Sequence, residues 1–251
     1  MGSHARGTNQ RYSDIDLARF TNAHGHGRRQ AFQGLIGDQL VIVNDLGDAA
    51  VADIFTQPEV ASSYLAGIRH GRALRDRQGV FAAIQARAQA FIWDATMQTK
   101  ANAWASAELM GWGEDMRKGL AGLVANDTGM LLNARFASSW GLSRIMQVQR
   151  GVLLASGNDF FAAVNSAMGL DSVWVRLRQL VFAVTTIQGA PPSLRTQVLA
   201  GLLLYRETAH CFQAIVCQED KAVIGQTVQL IEAALLQFPE TQAVQAFLEH
   251  A

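Results

Sequence analysis

The fold follows from two runs near the amino terminus, Gly2-Ser3-His4-Ala5-Arg6-Gly7 and Ser13-Asp14-Ile15-Asp16-Leu17. A Gly-Ser step carries little side-chain bulk, so the backbone N–H groups at such a bend can approach a phosphate chain. Asp14 and Asp16 are one residue apart, and on a β-strand residues at that spacing direct their carboxylates to the same side. Together the two runs predict a site for a metal ion and a nucleotide.

These residues and their spacing resemble the signature of the DNA polymerase β-like nucleotidyltransferases. That signature is Gly-Ser, a short spacer, and then Asp-x-Asp between apolar residues. Here ten residues, from His4 to Ser13, separate Ser3 from Asp14. The longer string Gly-Ser-x-Ala-Arg-Gly is similar to the minimal and antibiotic-modifying members of the superfamily.

The resemblance implies a role for each of these residues. Gly2 and Ser3 would hold the phosphates of a nucleoside triphosphate, with Arg6 as a helper. Asp14 and Asp16 would bind two Mg²⁺ ions that bridge the triphosphate and an attacking hydroxyl. The implied activity is transfer of a nucleoside monophosphate to a hydroxyl of a small, antibiotic-like molecule or of a macromolecule.

Two departures from the family pattern concern the strand before Gly2 and the third acid. The family places a strand before the Gly-Ser step, whereas Met1 immediately precedes Gly2, so we expect an N-terminally truncated domain or a start codon assigned too late. Active members add a third carboxylate on a neighbouring strand, but residues 40–44 contain no acid. Asp38 and Asp45 flank that run and Asp76 ends the next predicted strand, but none has the expected position. Acids of the helical part that are candidates by charge alone are Glu108, Glu114 and Asp115.

These departures keep other interpretations open. A catalytically degenerate relative would act as a nucleotide sensor or as an antitoxin-like interaction module. Residues 1–4 also match the end of a common expression tag, and an isolated Asp-x-Asp is usually a solvated strand edge or turn. The remaining alternative is an all-helical regulator in which the match is chance.

Composition restricts the classes of partner. Lysine plus arginine and aspartate plus glutamate number 21 each, which argues against nucleic acid or an anionic membrane as the partner of the whole chain. No run is apolar and long enough for a membrane span, and no signal peptide opens the sequence, so we expect a cytoplasmic protein. Cys211 and Cys217 are expected as buried thiols of one helix. Formation of a homodimer remains open.

Sequence patterns predict a small amino-terminal sheet. Asp14 to Phe20 is expected as a strand with Ile15 and Leu17 facing the core and the two aspartates on the opposite face. The β-branched run 39–44 is the strongest strand prediction, and 71–76 is predicted as another strand. Short helices are expected at 48–55 and 58–65. The segment from His24 to Arg29 is expected as a loop, and its two histidines are unlike a metal site because no cysteine is near.

After Gly79 the apolar spacing becomes helical. Helix starts are expected at 126–128, 158–159, 171–172 and 191–193, a break at 111–113, and a long helix over 194–216. The predicted fold is therefore α+β: a mixed-sheet nucleotidyltransferase domain at 1–78, incomplete at its amino terminus, and a C-terminal α-helical bundle at 79–251.

Overall fold

The computed structural model describes residues 1–21, 28–187 and 189–250, with the backbone alone at 28–30 and at 250. The chain is α+β, with a small three-stranded mixed sheet and a largely helical remainder, as predicted. Contacts divide it into two compact units. The sheet unit comprises residues 1–101 and 151–163, and the helical unit comprises 102–150 and 164–251. His24 and His26, considered above as metal ligands, lie outside the described residues.

The sheet has the order β1-β3-β2. Its strands are β1 Ile15–Phe20, β2 Arg28–Ile36 and β3 Gln39–Leu46. β1 runs parallel to β3 and β2 antiparallel to it. The strand predicted at 39–44 is therefore confirmed, whereas β2 was not anticipated because its start was assigned to a loop.

The helices carry the rest of the fold, as α1 Gly2–Arg6, α2 Asp48–Thr56, α3 Pro58–Arg69, α4 Val80–Ala90, α5 Ala95–Ala125, α6 Thr128–Phe136, α7 Leu142–Gln149, α8 Phe160–Met168, α9 Val173–Val181, α10 Leu194–Cys211, α11 Lys221–Leu235 and α12 Glu240–His250. A π-helical segment at Ala137–Gly141 joins α6 to α7. Within the described ranges, no helix combines the length and the apolar character needed to cross a bilayer.

The core of the sheet unit lies against one face of the sheet. Ala18 and Phe20 of β1 pack on a cluster that contains buried residues of α2 and α3, among them Ile54 and Leu65. The prediction that Ile15 and Leu17 face the core is therefore wrong. Because side chains alternate along a strand, Asp16 lies on the same face as Ala18 and Phe20, at the end where the apolar core gives way to polar groups.

Residues 71–79 form no strand, so the prediction for 71–76 is also wrong. The amide of Gln85 on α4 donates to the carbonyls of Ile68, Arg69 and Gly71, at 3.1, 3.3 and 2.9 Å. These carbonyls therefore find their partner on a helix side chain rather than on a strand. The boundary predicted after residue 78 remains a prediction, although α4 belongs to the compact sheet unit.

Glycine does not interrupt α5, where a break was expected. A Cβ placed at Gly113 would lie 3.3 Å from Thr227 Oγ1 and 3.4 Å from the Tyr205 hydroxyl. Gly113 therefore allows helices of the helical unit to approach closely, and this packing offsets the lower helix propensity of glycine.

α10 is the central element of the helical unit and contacts α6, α7, α9, α11 and α12. Three of the four predicted helix starts are confirmed by side-chain caps: Asp127, Ser172 and Ser193 each accept from a backbone N–H three residues later. α10 ends at Cys211, earlier than expected, and Cys211 is exposed, contrary to the prediction of two buried thiols on one helix.

Candidate functional site

The Gly-Ser bend lies directly against the Asp-x-Asp strand. The Met1 nitrogen donates to the Asp16 carbonyl at 2.7 Å. Gly2 has φ +72°, and a Cβ added there would lie 2.8 Å from Asp16 Oδ2. Glycine is therefore needed at this position for two reasons, the left-handed backbone and the close approach of the carboxylate.

A cavity of about 980 Å³ opens beside this contact. Four of the five residues predicted for the site line it, namely Gly2, Ser3, Asp14 and Asp16. The floor and walls also include parts of β3, α3 and the segment 154–158, all within the sheet unit. The two sequence runs, Gly2-Ser3 and Asp14-Ile15-Asp16, thus contribute residues to the lining of one cavity.

Arg6, the fifth predicted residue, is not among the lining residues. Its guanidinium Nη1 donates to the carbonyl of Ala155, so it holds the segment 154–158 against α1. Arg11 lines the cavity instead, with its guanidinium 5.3 Å from the ring centroid of Tyr12. Arg11 is therefore a positively charged side chain of the lining that is available to a bound anion.

Several lining residues were missed by the sequence analysis: Arg11, Tyr12, Asn44, Ser63, Tyr64, Ser156 and Asn158. The sequence could have indicated Asn44, because this residue ends the strongest predicted strand. It could also have indicated Arg11, which lies within the ten-residue spacer. No sequence feature indicates the segment 154–158, because only the tertiary fold brings it to residues near the amino terminus.

Among the six acids considered as a third carboxylate, Asp45, Asp76 and Glu114 contact other groups. Asp45 pairs with Arg19 at 2.8 Å, and Asp76 accepts from the Ala82 N–H at the start of α4. Glu114 pairs with Lys118 at 2.8 Å, and this contact holds the pKa of Glu114 below its usual range. In the part of the chain that the structure describes, Asp14 and Asp16 are the acidic residues lining the cavity.

Asn44 occupies the place on β3 where a third polar group would be expected. It pairs with Ala18, two residues beyond Asp16 on β1, so it lies on the same sheet face as Asp16. Asn44 is 5% exposed, and its buried Oδ1 atom has no hydrogen-bond partner among the described residues. A buried carbonyl oxygen without a donor costs about 1–3 kcal/mol.

A second cavity of about 470 Å³ lies between α2 and the residues around α4. Its charged groups are already engaged: Lys100 Nζ donates to the Thr56 carbonyl at 2.8 Å, and Arg87 lies 3.9 Å from the ring centroid of Phe55. Asp94 caps the start of α5 by accepting from the Met97 N–H. The cavity at Asp14 and Asp16 is therefore the better candidate site.

Comparison of the chain with protein-family models, with curated proteins and with solved structures gave no match. No cluster of three or more His, Cys, Asp and Glu side chains suited to a metal occurs among the described residues. A cation at Asp14 and Asp16 would therefore need further oxygen ligands from other residue types, from water or from a substrate.

Proposed function

We propose that this protein is a Mg²⁺-dependent nucleotidyltransferase, similar to the DNA polymerase β-like superfamily, that transfers a nucleoside monophosphate from a triphosphate to a hydroxyl. The observation that carries the proposal is the common cavity of the Gly2-Ser3 bend and the two aspartates. Packing of Gly2 against Asp16 also favours residues 1–4 as part of the fold rather than a tag remnant.

The lining residues fit the chemistry that the proposal requires. Carboxylate oxygens are the ligands that Mg²⁺ prefers, so Asp14 and Asp16 would hold the cations. When bound, Mg²⁺ supplies charge neutralisation to the phosphates. The missing Cβ at Gly2 leaves room for the phosphate chain beside Asp16, and Arg11 adds a positive charge.

In the proposed reaction, the oxygen of the acceptor hydroxyl forms a bond to the α-phosphorus. The bond from that phosphorus to its bridging oxygen breaks, and pyrophosphate leaves. The hydroxyl proton passes to solvent, because the described lining contains no further carboxylate to receive it. The task of the protein is therefore mainly to position the two reactants and to bind charge.

The test is release of pyrophosphate by the whole chain with Mg²⁺, each nucleoside triphosphate and a panel of hydroxyl-bearing acceptors. We expect Asp14→Asn to reduce the rate by about 10³-fold, since several kcal/mol of charge stabilisation would be lost. Asp45→Asn is the matched control, because Asp45 pairs with Arg19 away from the cavity lining. Absence of turnover with every acceptor, combined with triphosphate binding that is unchanged in Asp14→Asn, would contradict the proposal.

The neutral side chain at Asn44 favours a second candidate function. With two acids rather than three, the cavity would bind a metal-triphosphate complex without turning it over and would act as a nucleotide sensor. Calorimetry that detects Mg²⁺-dependent triphosphate binding, with no pyrophosphate released, would select the sensor. Co-purification of a stoichiometric partner would instead select an antitoxin-like interaction module.

A further inference from the structure

The loop between α3 and α4, residues 71–79, carries an excess of positive charge. Arg72, Arg75 and Arg77 are exposed, and Asp76 is the acid of this loop. The whole chain has no net charge at pH 7, so the excess is a property of the loop and not of the composition. Because like charges repel one another, a bound polyanion would relieve an unfavourable interaction here.

Hydrogen bonds fix the backbone of the loop and engage its acid. The Gln85 amide donates to the Gly71 carbonyl at 2.9 Å, and Asp76 Oδ2 accepts from the Ala82 N–H at 2.9 Å. The Asp76 carboxylate therefore stabilises the start of α4. A loop that is already held in place loses less conformational entropy when a ligand binds to it.

The three arginines differ from the other lysine and arginine side chains that the structure describes in the sheet unit. Those side chains contact protein groups: Arg6, Arg69 and Lys100 donate to backbone carbonyls, Arg19 pairs with Asp45, and Arg11 and Arg87 lie over the rings of Tyr12 and Phe55. Among the residues that the structure describes, Arg72, Arg75 and Arg77 have no hydrogen-bond or ion-pair partner. Their N–H donors are therefore available to an external anion.

Two further arginines lie at the same end of the sheet as this loop. A Cβ at Gly71 would lie 2.9 Å from Phe81, whose ring centroid is 5.9 Å from that of Phe20 at the end of β1. β2 begins with two arginines, and the backbone of Arg28 pairs with Leu46, the β3 residue that also pairs with Phe20.

The acids that follow along β3 and α2 have other contacts. Asp45 is paired with Arg19 at 2.8 Å. Asp48 is the first residue of α2, where the N-terminus of a helix favours a negative charge. The loop therefore keeps its positive charge.

A nucleic-acid strand matches the spacing of the arginines. An extended chain spans at most about 3.6 Å per residue, so Arg72 and Arg75 are at most about 11 Å apart, and Arg75 and Arg77 about 7 Å. A strand carries a phosphate about every 3.4 Å of its axis, so each arginine can contact a different phosphate. Arginine also binds phosphate oxygens through two N–H groups at once.

The apolar content of the loop favours a single strand over a membrane. Leu74 lies between the arginines and is 82% exposed, so it offers an apolar contact to the unpaired bases of a single strand. One leucine is too small an apolar surface to bury in a bilayer interface.

We infer that residues 71–79 form a binding surface for a single-stranded nucleic acid, in which Arg72, Arg75 and Arg77 bind phosphates of the backbone. This surface lies outside the lining of the cavity at Asp14 and Asp16. The inference therefore does not depend on the proposed metal site.

The experiment measures binding of the whole chain to fluorescein-labelled oligouridylate and oligothymidylate by fluorescence anisotropy, so that the two arms distinguish RNA from DNA as the ligand. EDTA is present, which keeps the outcome independent of any metal. Neutralisation of three phosphates predicts a slope of about −2 for the logarithm of the binding constant against that of the salt concentration, or about 20-fold weaker binding at about 200 mM than at about 50 mM salt. Replacing Arg72, Arg75 and Arg77 together by glutamine should weaken binding at least about 10-fold at the lower salt concentration.

A matched control removes three exposed cations from the helical unit by replacing Arg117, Lys118 and Lys221 together with glutamine. Its charge changes by the same amount, and its binding should stay within about 2-fold of the original. The inference is overturned if neither oligonucleotide binds, or if the loop variant and the control lose the same affinity.

Tighter binding of phosphatidylserine vesicles or polyglutamate than of the oligonucleotides, lost in the loop variant, would also overturn the inference and identify a membrane or an acidic protein as the partner. Circular dichroism establishes that both triple variants are folded. If the loop variant is not folded, single glutamine variants replace it, and each should reduce the magnitude of the salt slope by about 0.7.

Discussion

Polar groups have different surroundings in the sheet unit and in the helical unit. In the helical unit, Ser106 Oγ donates to Asp220 Oδ2 at 2.6 Å and accepts from the Cys217 N–H at 2.9 Å. Trp174 Nε1 donates to Thr208 Oγ1 at 2.9 Å. These hydrogen bonds join segments that are distant in the chain, so the polar groups stabilise the packing of the helical unit.

The sheet unit instead gathers polar residues around a cavity. Asn44, Asp14 and Asp16 are among the residues that line it. Among the described residues, both units contain buried polar atoms without a hydrogen-bond partner, and Gln197 Oε1 is one in the helical unit. The distinction is that Asn44 belongs to the lining of a cavity that two aspartates also line. Under the proposed function, the sheet unit binds the ligand and the helical unit contributes packing stability.

The largest expected effect is on the free energy of unfolding, when a buried side chain in the core of the helical unit is shortened. Leu203 on α10 is 1% exposed, and Leu203→Ala should lower the free energy of unfolding by about 3 kcal/mol, because it removes buried apolar surface and leaves a cavity. Binding of Mn²⁺, the probe of the proposed cation site at Asp14 and Asp16, should be unchanged where the variant is still folded. Leu236→Ala, at an 88% exposed position, is the matched control and should alter the stability by less than about 0.5 kcal/mol.

Denaturant titration followed by circular dichroism measures the first quantity, and electron paramagnetic resonance measures the second. Loss of Mn²⁺ affinity in folded Leu203→Ala would contradict the separation of roles, because it would mean that packing in the helical unit controls the cavity.

A smaller effect should appear at the Gly-Ser bend. Gly2 and Gly7 have nearly equal positive φ values, +72° and +71°, so alanine at either position should cost about 1–2 kcal/mol of backbone strain. A Cβ at Gly2 would meet Asp16 Oδ2 at 2.8 Å, whereas nothing lies within 4 Å of a Cβ at Gly7. Gly2→Ala should therefore weaken Mn²⁺ binding by about 10-fold or more, and Gly7→Ala should not.

Comparing the two alanine variants isolates the contact with the carboxylate, since both share the same backbone strain. Equal Mn²⁺ affinities in Gly2→Ala and Gly7→Ala, with both proteins folded, would mean that the close approach of Gly2 to Asp16 has no bearing on cation binding.

Local signals in the sequence were sufficient for part of this architecture. The β-branched run 39–44 became β3 because branched side chains suit a pleated, half-buried surface. Ser172 and Ser193 marked helix starts because a side-chain oxygen there satisfies a free backbone N–H. The spacing of Gly2-Ser3 and Asp14-x-Asp16 predicted residues that line one cavity.

Tertiary contacts decided the remainder. The carbonyls of Ile68 and Gly71 accept hydrogen bonds from Gln85 rather than from a strand, and the sequence of residues 71–76 gives no indication of that partner. Gly113 stays helical because neighbouring helices approach it closely. The segment 154–158 joins the cavity although it is far along the chain from Asp14. Contacts between segments that are far apart in the sequence cannot be predicted from the residues of one short segment.

The smallest effect concerns a buried phenol in the helical unit. Tyr205 is fully buried, and its hydroxyl donates to the Leu109 carbonyl at 3.1 Å. Tyr205→Phe should lower the free energy of unfolding at pH 7 by about 1 kcal/mol, the net value of a typical hydrogen bond. Tyr12→Phe, at an 88% exposed position, is the control and should have no measurable effect.

The pH dependence sharpens this last test. Burial raises the pKa of Tyr205 above its ordinary value of 10, and the charge of Arg117 opposes the shift in part. The folded chain therefore holds the phenolic proton more tightly than the unfolded chain. Its contribution to stability is complete below pH 10 and is lost as the pH rises from 10 toward the folded pKa. Because Tyr205→Phe cannot ionise, its stability should fall less steeply between pH 9.5 and about 11. Identical slopes for the two chains in that range would mean that the phenol of Tyr205 is solvated, and the contrast between a closed helical core and an open polar cavity would lose its clearest example.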